Sequence, residues 1–120
     1  MLYGTRPMRF FLTWKRFMRV RLLDQARADL VGHWGHYREV GGHALARKML
    51  ARIKGPVLAL KDNPDIAQLY ELAPDIRRLM VADGAFLVFY RVRDDVEILN
   101  IRRAEREPVT AEDLEHVNGN

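Results

Sequence analysis

From Arg77 onward the chain alternates short apolar runs with tight polar breaks, the pattern of strands joined by hairpins. Arg77 to Val81 is the first predicted strand of this meander, Phe86 to Arg93 the second and Val96 to Arg102 the third. Phe86, Leu87, Val88, Phe89, Tyr90 and Val92 are bulky types that suit a pleated surface. Ala82-Asp83-Gly84-Ala85 separates the first two strands, and Asp-Gly between apolar runs marks a hairpin because glycine tolerates a positive φ. Asp94-Asp95 supplies the next turn. Far upstream, Val20 and Leu22 alternate with Arg19 and Arg21, so Met18 to Leu23 reads as a short, half-buried strand.

Between these strands the period becomes helical. Ala26, Leu30, Trp34 and Tyr37 recur at spacings of four, four and three, which puts them on one face of a helix from Gln25 to about Val40. Asp24 is its expected N-cap and Gly41-Gly42 its expected stop. A second helix is predicted from about His43 to Leu60, with Ala46, Met49, Leu50, Ile53, Val57 and Leu60 as its apolar stripe. Pro56 has no N–H for the carbonyl of Arg52, so a kink or break is expected there. Asp62-Asn63-Pro64 ends the segment, and Ala67 to Leu72 leads into the meander with a short strand at Leu69 to Leu72.

The element order is therefore β-α-α-β-β-β. Neither helix can bury its stripe alone, and packing both on one sheet face solves this. The expected fold is a two-layer α+β domain, a helical hairpin packed on an antiparallel sheet, with the first strand beside one meander strand. A length of 120 residues suits one such domain. It is expected over residues 18–107, after a basic, aromatic extension at 1–17 and before a tail at 108–120. In that tail Thr110-Ala111-Glu112-Asp113 resembles a capping box, and Leu114 and Val117 suggest one or two helical turns.

Charge changes the picture only locally. The net charge of +4 belongs to residues 1–17, which hold Arg6, Arg9, Lys15 and Arg16 and no acid. From residue 18 onward acids and bases balance, so net charge does not mark the domain as a nucleic-acid binder. The extension has no apolar run of the roughly 7–15 residues that a secretory signal needs. It reads first as upstream codons outside the native protein, because Met18 begins a segment that looks like a natural start. The alternatives are a disordered arm, a partner-binding segment and an arm for nucleic acid.

Composition removes several chemistries. Without cysteine there is no thiolate nucleophile, disulfide or zinc–thiolate site. Serine is absent too, and every threonine, Thr13 and Thr110 among them, lies in a terminal segment. No glycine-rich phosphate loop occurs, so covalent and nucleotide-dependent catalysis are not expected, nor is a cofactor. His33 and His36 could ligate a metal from one helix face with Asp29 as a third ligand, but they lie off the Leu30-Trp34-Tyr37 stripe and are expected to be exposed. No metal site is expected. Arginine stands out instead: Arg77, Arg78, Arg91, Arg102 and Arg103 all lie on the meander.

Glu71-Leu72, Ile76-Arg77-Arg78-Leu79, Phe89-Tyr90-Arg91-Val92 and Asp95-Val96-Glu97-Ile98-Leu99 follow an order that resembles the RelE/ParE superfamily of type II toxin–antitoxin toxins. The likeness covers residues 18–107 and is closer to ParE. A ParE likeness implies a cytoplasmic, non-membrane protein that inhibits DNA gyrase and is neutralised in a hetero-oligomer by a cognate antitoxin. Its target-binding residues would be Arg77, Arg78, Arg91, Arg102, Arg103 and Arg106. Guanidinium forks suit carboxylates and phosphates equally. A RelE likeness implies a metal-independent, ribosome-dependent mRNA interferase using Arg77, Arg78, Tyr90, Arg102 and Arg103. Three departures disfavour it: no His or Tyr follows the last strand, Leu87 stands where an arginine is common, and the meander has no lysine. A third alternative is a degenerate member that only binds an antitoxin. Beside all three, the arginines could be a solvated face paired with Glu71, Asp75 or Glu97. Tyr90 is in phase with Phe86 and Val88, which suits a core tyrosine with one hydroxyl partner.

Overall fold

The structure, a computed structural model, describes residues 18–104, so Arg106 and the tail's expected helical turns lie outside the described residues. A strand β1 (Val20–Leu22) leads into the helical segment α1 (Asp24–Ala59). Four strands follow: β2 (Gln68–Tyr70), β3 (Ala73–Val81), β4 (Phe86–Val92) and β5 (Val96–Arg103). They form one sheet in the order β1-β5-β4-β3-β2. The α+β class, the meander and the short strand before it are as expected.

The sheet is mixed rather than antiparallel throughout. β1 runs parallel to β5, with Val20 opposite Val96 and Leu22 opposite Ile98, while every other pair is antiparallel. Neighbours joined by a hairpin must be antiparallel, but all the other elements separate β1 from β5, so no hairpin fixes their relative direction.

The helical segment differs from expectation at three points. Only Gly42 leaves helical geometry, with φ 85° and ψ −177°, so the chain turns on one residue without a loop. Gly41 stays helical, and a Cβ there would collide with the side chain of Leu45. Leu30, Val31 and Trp34 from one side of this break line the same hollow as Leu50 and Lys54 from the other. On an unbroken helix Leu30 and Leu50 would be about 30 Å apart. Pro56 causes no break, and the helix continues through it to Ala59. It sits in the final turns, where Val57 and Leu60 are buried and three-residue bonds from Leu60 to Val57, Lys61 to Leu58 and Asp62 to Ala59 close the end. The expected cap is also displaced: Leu23 occupies the N-cap without a side-chain bond. Asp24 is inside the first turn, where its charge suits the helix dipole and lies 3.9 Å from Arg27.

Both apolar stripes enter one core. Ala26, Leu30, Ile53, Val57 and Leu60 pack with Phe86, Val88, Tyr90, Val96, Ile98 and Ile101. Trp34 and Tyr37 are only half-buried at the rim. Phe89 lies between Val88 and Tyr90, so alternation sends it to the other sheet face. There it joins Tyr70, Ala73, Ile76 and Leu99 in a second cluster. A bulge where β4 meets β5 opposes Phe89 to Asn100 but Tyr90 to Ile98, so Leu99 is the extra residue.

The β3–β4 turn needs left-handed backbone at Ala82, Asp83 and Gly84, with φ of 54°, 56° and 87°. Arg52 on α1 reaches Asp83 at 2.5 Å and ties this turn to the helical layer.

Candidate functional site

Strand alternation divides the five meander arginines. Arg77 is opposite Tyr90 and Arg103 opposite Phe86, so both share the helix side of the sheet. Arg78 is opposite Phe89 and Arg102 opposite Leu87, which places them on the far face, with Arg91. The sequence gathers these residues; the pleat separates them.

On the helix side Arg77 holds the connection between α1 and β2. Its guanidinium donates to the Ala67 carbonyl at 2.6 Å and lies 3.5 Å from the Asp65 carboxylate. Tyr90, fully buried, donates its hydroxyl to the Pro64 carbonyl at 2.7 Å. Burial is the main cause that pushes the Tyr90 pKa up, against the lowering effects of the Ala67 backbone and the Arg77 charge. Tyr90 keeps its proton at neutral pH and donates it to a backbone oxygen.

On the far face Arg91 is buried and binds Glu97 across the strands, Nε to Oε1 at 2.5 Å. Arg21 on β1 approaches the other oxygen of Glu97 at 3.5 Å. Arg78 is exposed and lies over the Tyr70 ring, 5.8 Å from its centroid, a distance for a cation–π contact.

Arg102 and Arg103 meet at the end of β5, although they leave the strand on opposite faces. There they line a cleft of about 590 Å³ with Gln25, Asp29, His33 and His36 from α1. The cleft exists because β1 ends at Leu22, opposite Ile98, and leaves the rest of that β5 edge without a strand neighbour. Asp29 accepts from the Ile101 N–H at 2.8 Å, and His33 Nε2 is 2.8 Å from the Ile101 carbonyl. Gln25 steadies Asp29 from one turn away, again at 2.8 Å.

Asp29 and His33 therefore cap the open edge of β5 at Ile101, with Gln25 behind Asp29. His33 is not exposed as expected; it is half-buried, with its ring 4.7 Å from that of Phe86. The sequence carried a signal for this role, because Gln25, Asp29 and His33 recur every four residues as a polar stripe beside the apolar one. Among the described residues no group of three or more His, Cys, Asp or Glu could hold a metal ion.

A separate apolar hollow of about 270 Å³ opens where α1 crosses β1, lined by Val20, Leu22, Leu30, Ile53, Val57 and Leu58 among others. Val31 and Leu58 are exposed beside it, and Arg27 and Lys54 supply positive charge. No helix among the described residues is long and apolar enough to cross a membrane.

No curated protein matches the chain. Among solved structures, one described as a chromosomal ParDE toxin–antitoxin system from P. aeruginosa superposes with a TM-score of 0.68 at 27% identity. The match covers 75% of this chain and 99% of that one. The family model of the ParE toxin of the type II toxin–antitoxin system parDE matches residues 20–108, which hold every described strand, the helical segment and the five meander arginines. The chain therefore belongs to the ParE toxin family of type II toxin–antitoxin systems.

Proposed function

We propose that this ParE-family toxin acts in the cytoplasm by inhibiting DNA gyrase, with the Arg102–Arg103 cleft as its target-facing surface. One observation carries this reading: Arg102 and Arg103 are the meander arginines that line an open cleft. Arg77 and Arg91 lie away from that cleft, Arg77 on the Ala67 carbonyl and the Asp65 carboxylate and Arg91 on Glu97. Two guanidinium groups at a strand end can grip carboxylates of a protein target or phosphates of DNA held by it. Arg106, three residues beyond Arg103 in the sequence, belongs to the same proposed set.

The same geometry disfavours an mRNA interferase. Its candidate set is split, with Tyr90 and Arg77 on the helix side and Arg78 and Arg102 on the far face. A general acid or base must reach the proton that it moves. Tyr90 is buried and bonded to Pro64.

Neutralisation would come from a cognate antitoxin. The apolar hollow at α1, with Arg27 and Lys54 at its rim, suits an amphipathic segment with an acidic outer face. The resulting complex would be a toxin–antitoxin hetero-oligomer.

Induced expression of the full chain in a bacterial host tests the proposal, with supercoiling and total mRNA followed in the same cultures. Growth arrest with altered supercoiling and intact mRNA is expected, and Arg102→Ala with Arg103→Ala should relieve it. Fragmented mRNA would replace the gyrase reading with the interferase. Normal growth with folded protein would leave a degenerate, antitoxin-binding member.

A further inference from the structure

Charge is shared unevenly along the described chain. Val40 to Lys61 hold five lysines and arginines, His43 and no acid. The other described residues hold ten lysines and arginines against eleven acids. The positive excess of residues 18–104 therefore lies on the second arm of α1, after the Gly42 break, and on the turn that closes it. Net charge hides this, because most of the acids follow that arm in the chain.

Several bases elsewhere are matched. Arg21 and Arg91 meet Glu97, Arg27 meets Asp24, and Arg77 meets Asp65. On the second arm only Arg52 is matched, by Asp83. Arg47, Lys48, Lys54 and Lys61 are exposed and have no ion-pair partner among the described residues. Arg47 and Lys54 are two helical turns apart and share one side of the helix, and Lys61 continues their row in the closing turn. The row spans about 21 Å at the helical rise. Between it and Lys48 lie Ala51 and Gly55, both exposed. A Cβ at Gly55 would meet no atom within 4 Å, so the surface there is open. Leu58 lines the apolar hollow at β1 instead, and Lys54 stands at the boundary between the two surfaces.

We propose that this face of α1 docks on the sugar–phosphate backbone of duplex DNA without reading its sequence. Each strand of the duplex presents a phosphate about every 3.4 Å, so about six face a row of this length. Long, flexible cations reach such a ladder without a fixed register, and the small residues between them allow a close approach. The arm has no Asn, Gln, Asp or Glu, so the usual partners of adenine and cytosine edges are missing and phosphate contact remains. An acidic protein segment is the poorer occupant, because tight protein contacts centre on large buried anchors and Ala51 and Gly55 offer none. This inference stands apart from the gyrase reading, since it uses none of the cleft residues.

Anisotropy of a labelled, random-sequence duplex of about 20 base pairs tests the proposal. The full chain is used with Arg6, Arg9, Lys15 and Arg16 changed to Gln, so that the N-terminal extension adds no charge. Three or four phosphate contacts should make log affinity fall against log salt with a slope of about −3 to −4. Arg47→Glu with Lys48→Glu should weaken binding at least tenfold at about 50 mM salt and lessen the slope by about 2. Arg78→Glu with Arg93→Glu makes the same charge change in the meander and should weaken it less than about threefold. Circular dichroism should not change in either. Arg47→Gln with Lys48→Gln should repeat the loss in smaller measure, and decides the matter if the reversed pair does not fold. Equal losses for the two reversed pairs would reduce the effect to net charge and overturn the proposal. So would a loss that follows Arg102→Ala with Arg103→Ala instead, which would put the phosphate contact in the cleft. An absence of binding at about 50 mM salt would overturn it too, as would polyglutamate held as tightly as DNA, which would make an acidic protein the partner.

Discussion

Arg77 and Arg102 are a strand apart, yet they are held in opposite ways. Arg77 is three-quarters covered, and its guanidinium is occupied by a carbonyl and a carboxylate of its own chain. Arg102 stands at the end of β5 beside a cleft open to solvent. The same residue type is a tie-bar in one place and a contact surface in the other. What separates them is the backbone within reach: the connection between α1 and β2 brings its carbonyls over Arg77, while β1 stops too early to cover the end of β5. A row of arginines in a toxin sequence is therefore not one site.

The comparison can be broken most severely at Glu97. Glu97→Ala leaves the Arg91 cation buried without its carboxylate, and a loss of about 3–5 kcal/mol is expected in urea unfolding. A loss below about 1 kcal/mol would mean that the Arg91–Glu97 pair contributes no more than an exposed one. Next comes Arg77→Ala, expected to cost about 2 kcal/mol because the Ala67 carbonyl loses a charged donor, against about 0.5 kcal/mol or less for Arg102→Ala. In growth assays the order should invert per unit of folded protein, with Arg102→Ala the milder for stability and the more damaging for toxicity.

Tyr90→Phe sharpens the same contrast. It leaves the buried Pro64 carbonyl unpaired, and about 1–2 kcal/mol should be lost. The Tyr90 proton also gives a pH signature. Its folded pKa is raised, so the folded state holds the proton more tightly than the unfolded chain does. Its contribution is constant below the ordinary tyrosine value of about 10 and is lost as the pH climbs from there through the raised folded value. Unfolding midpoints from pH 8 to 11 should fall less steeply in Tyr90→Phe than in the parent. The smallest effect is expected for Asp65→Asn. Its partner Arg77 keeps the Ala67 carbonyl, and Asp65 is 64% exposed, so about 0.5 kcal/mol or less should be lost.

Much of the fold was legible because its signals are local. The helical stripes, the Asp-Gly hairpin and the strand phase that put Tyr90 with Phe86 and Val88 all depend on neighbours within a few residues. The misread features depend on distant ones. Pro56 is tolerated because the sheet holds Val57 and Leu60 on either side of the helix end. The parallel sense of β1 depends on a strand more than seventy residues away. His33 is half-buried because the backbone of Ile101 needs a partner. The arginines were legible as a group and not as individuals, since alternation assigns faces only once the register and the bulge at Leu99 are known.

The two outermost strands have one further consequence. β1 and β2 are each three residues long, and where β5 runs on past β1 both backbone groups of Ile101 are already taken by α1 side chains. A growing cross-β fibre needs a long, unsatisfied ladder to copy itself onto. Among the described residues this sheet offers only short ones, so its edges give a growing fibre little template.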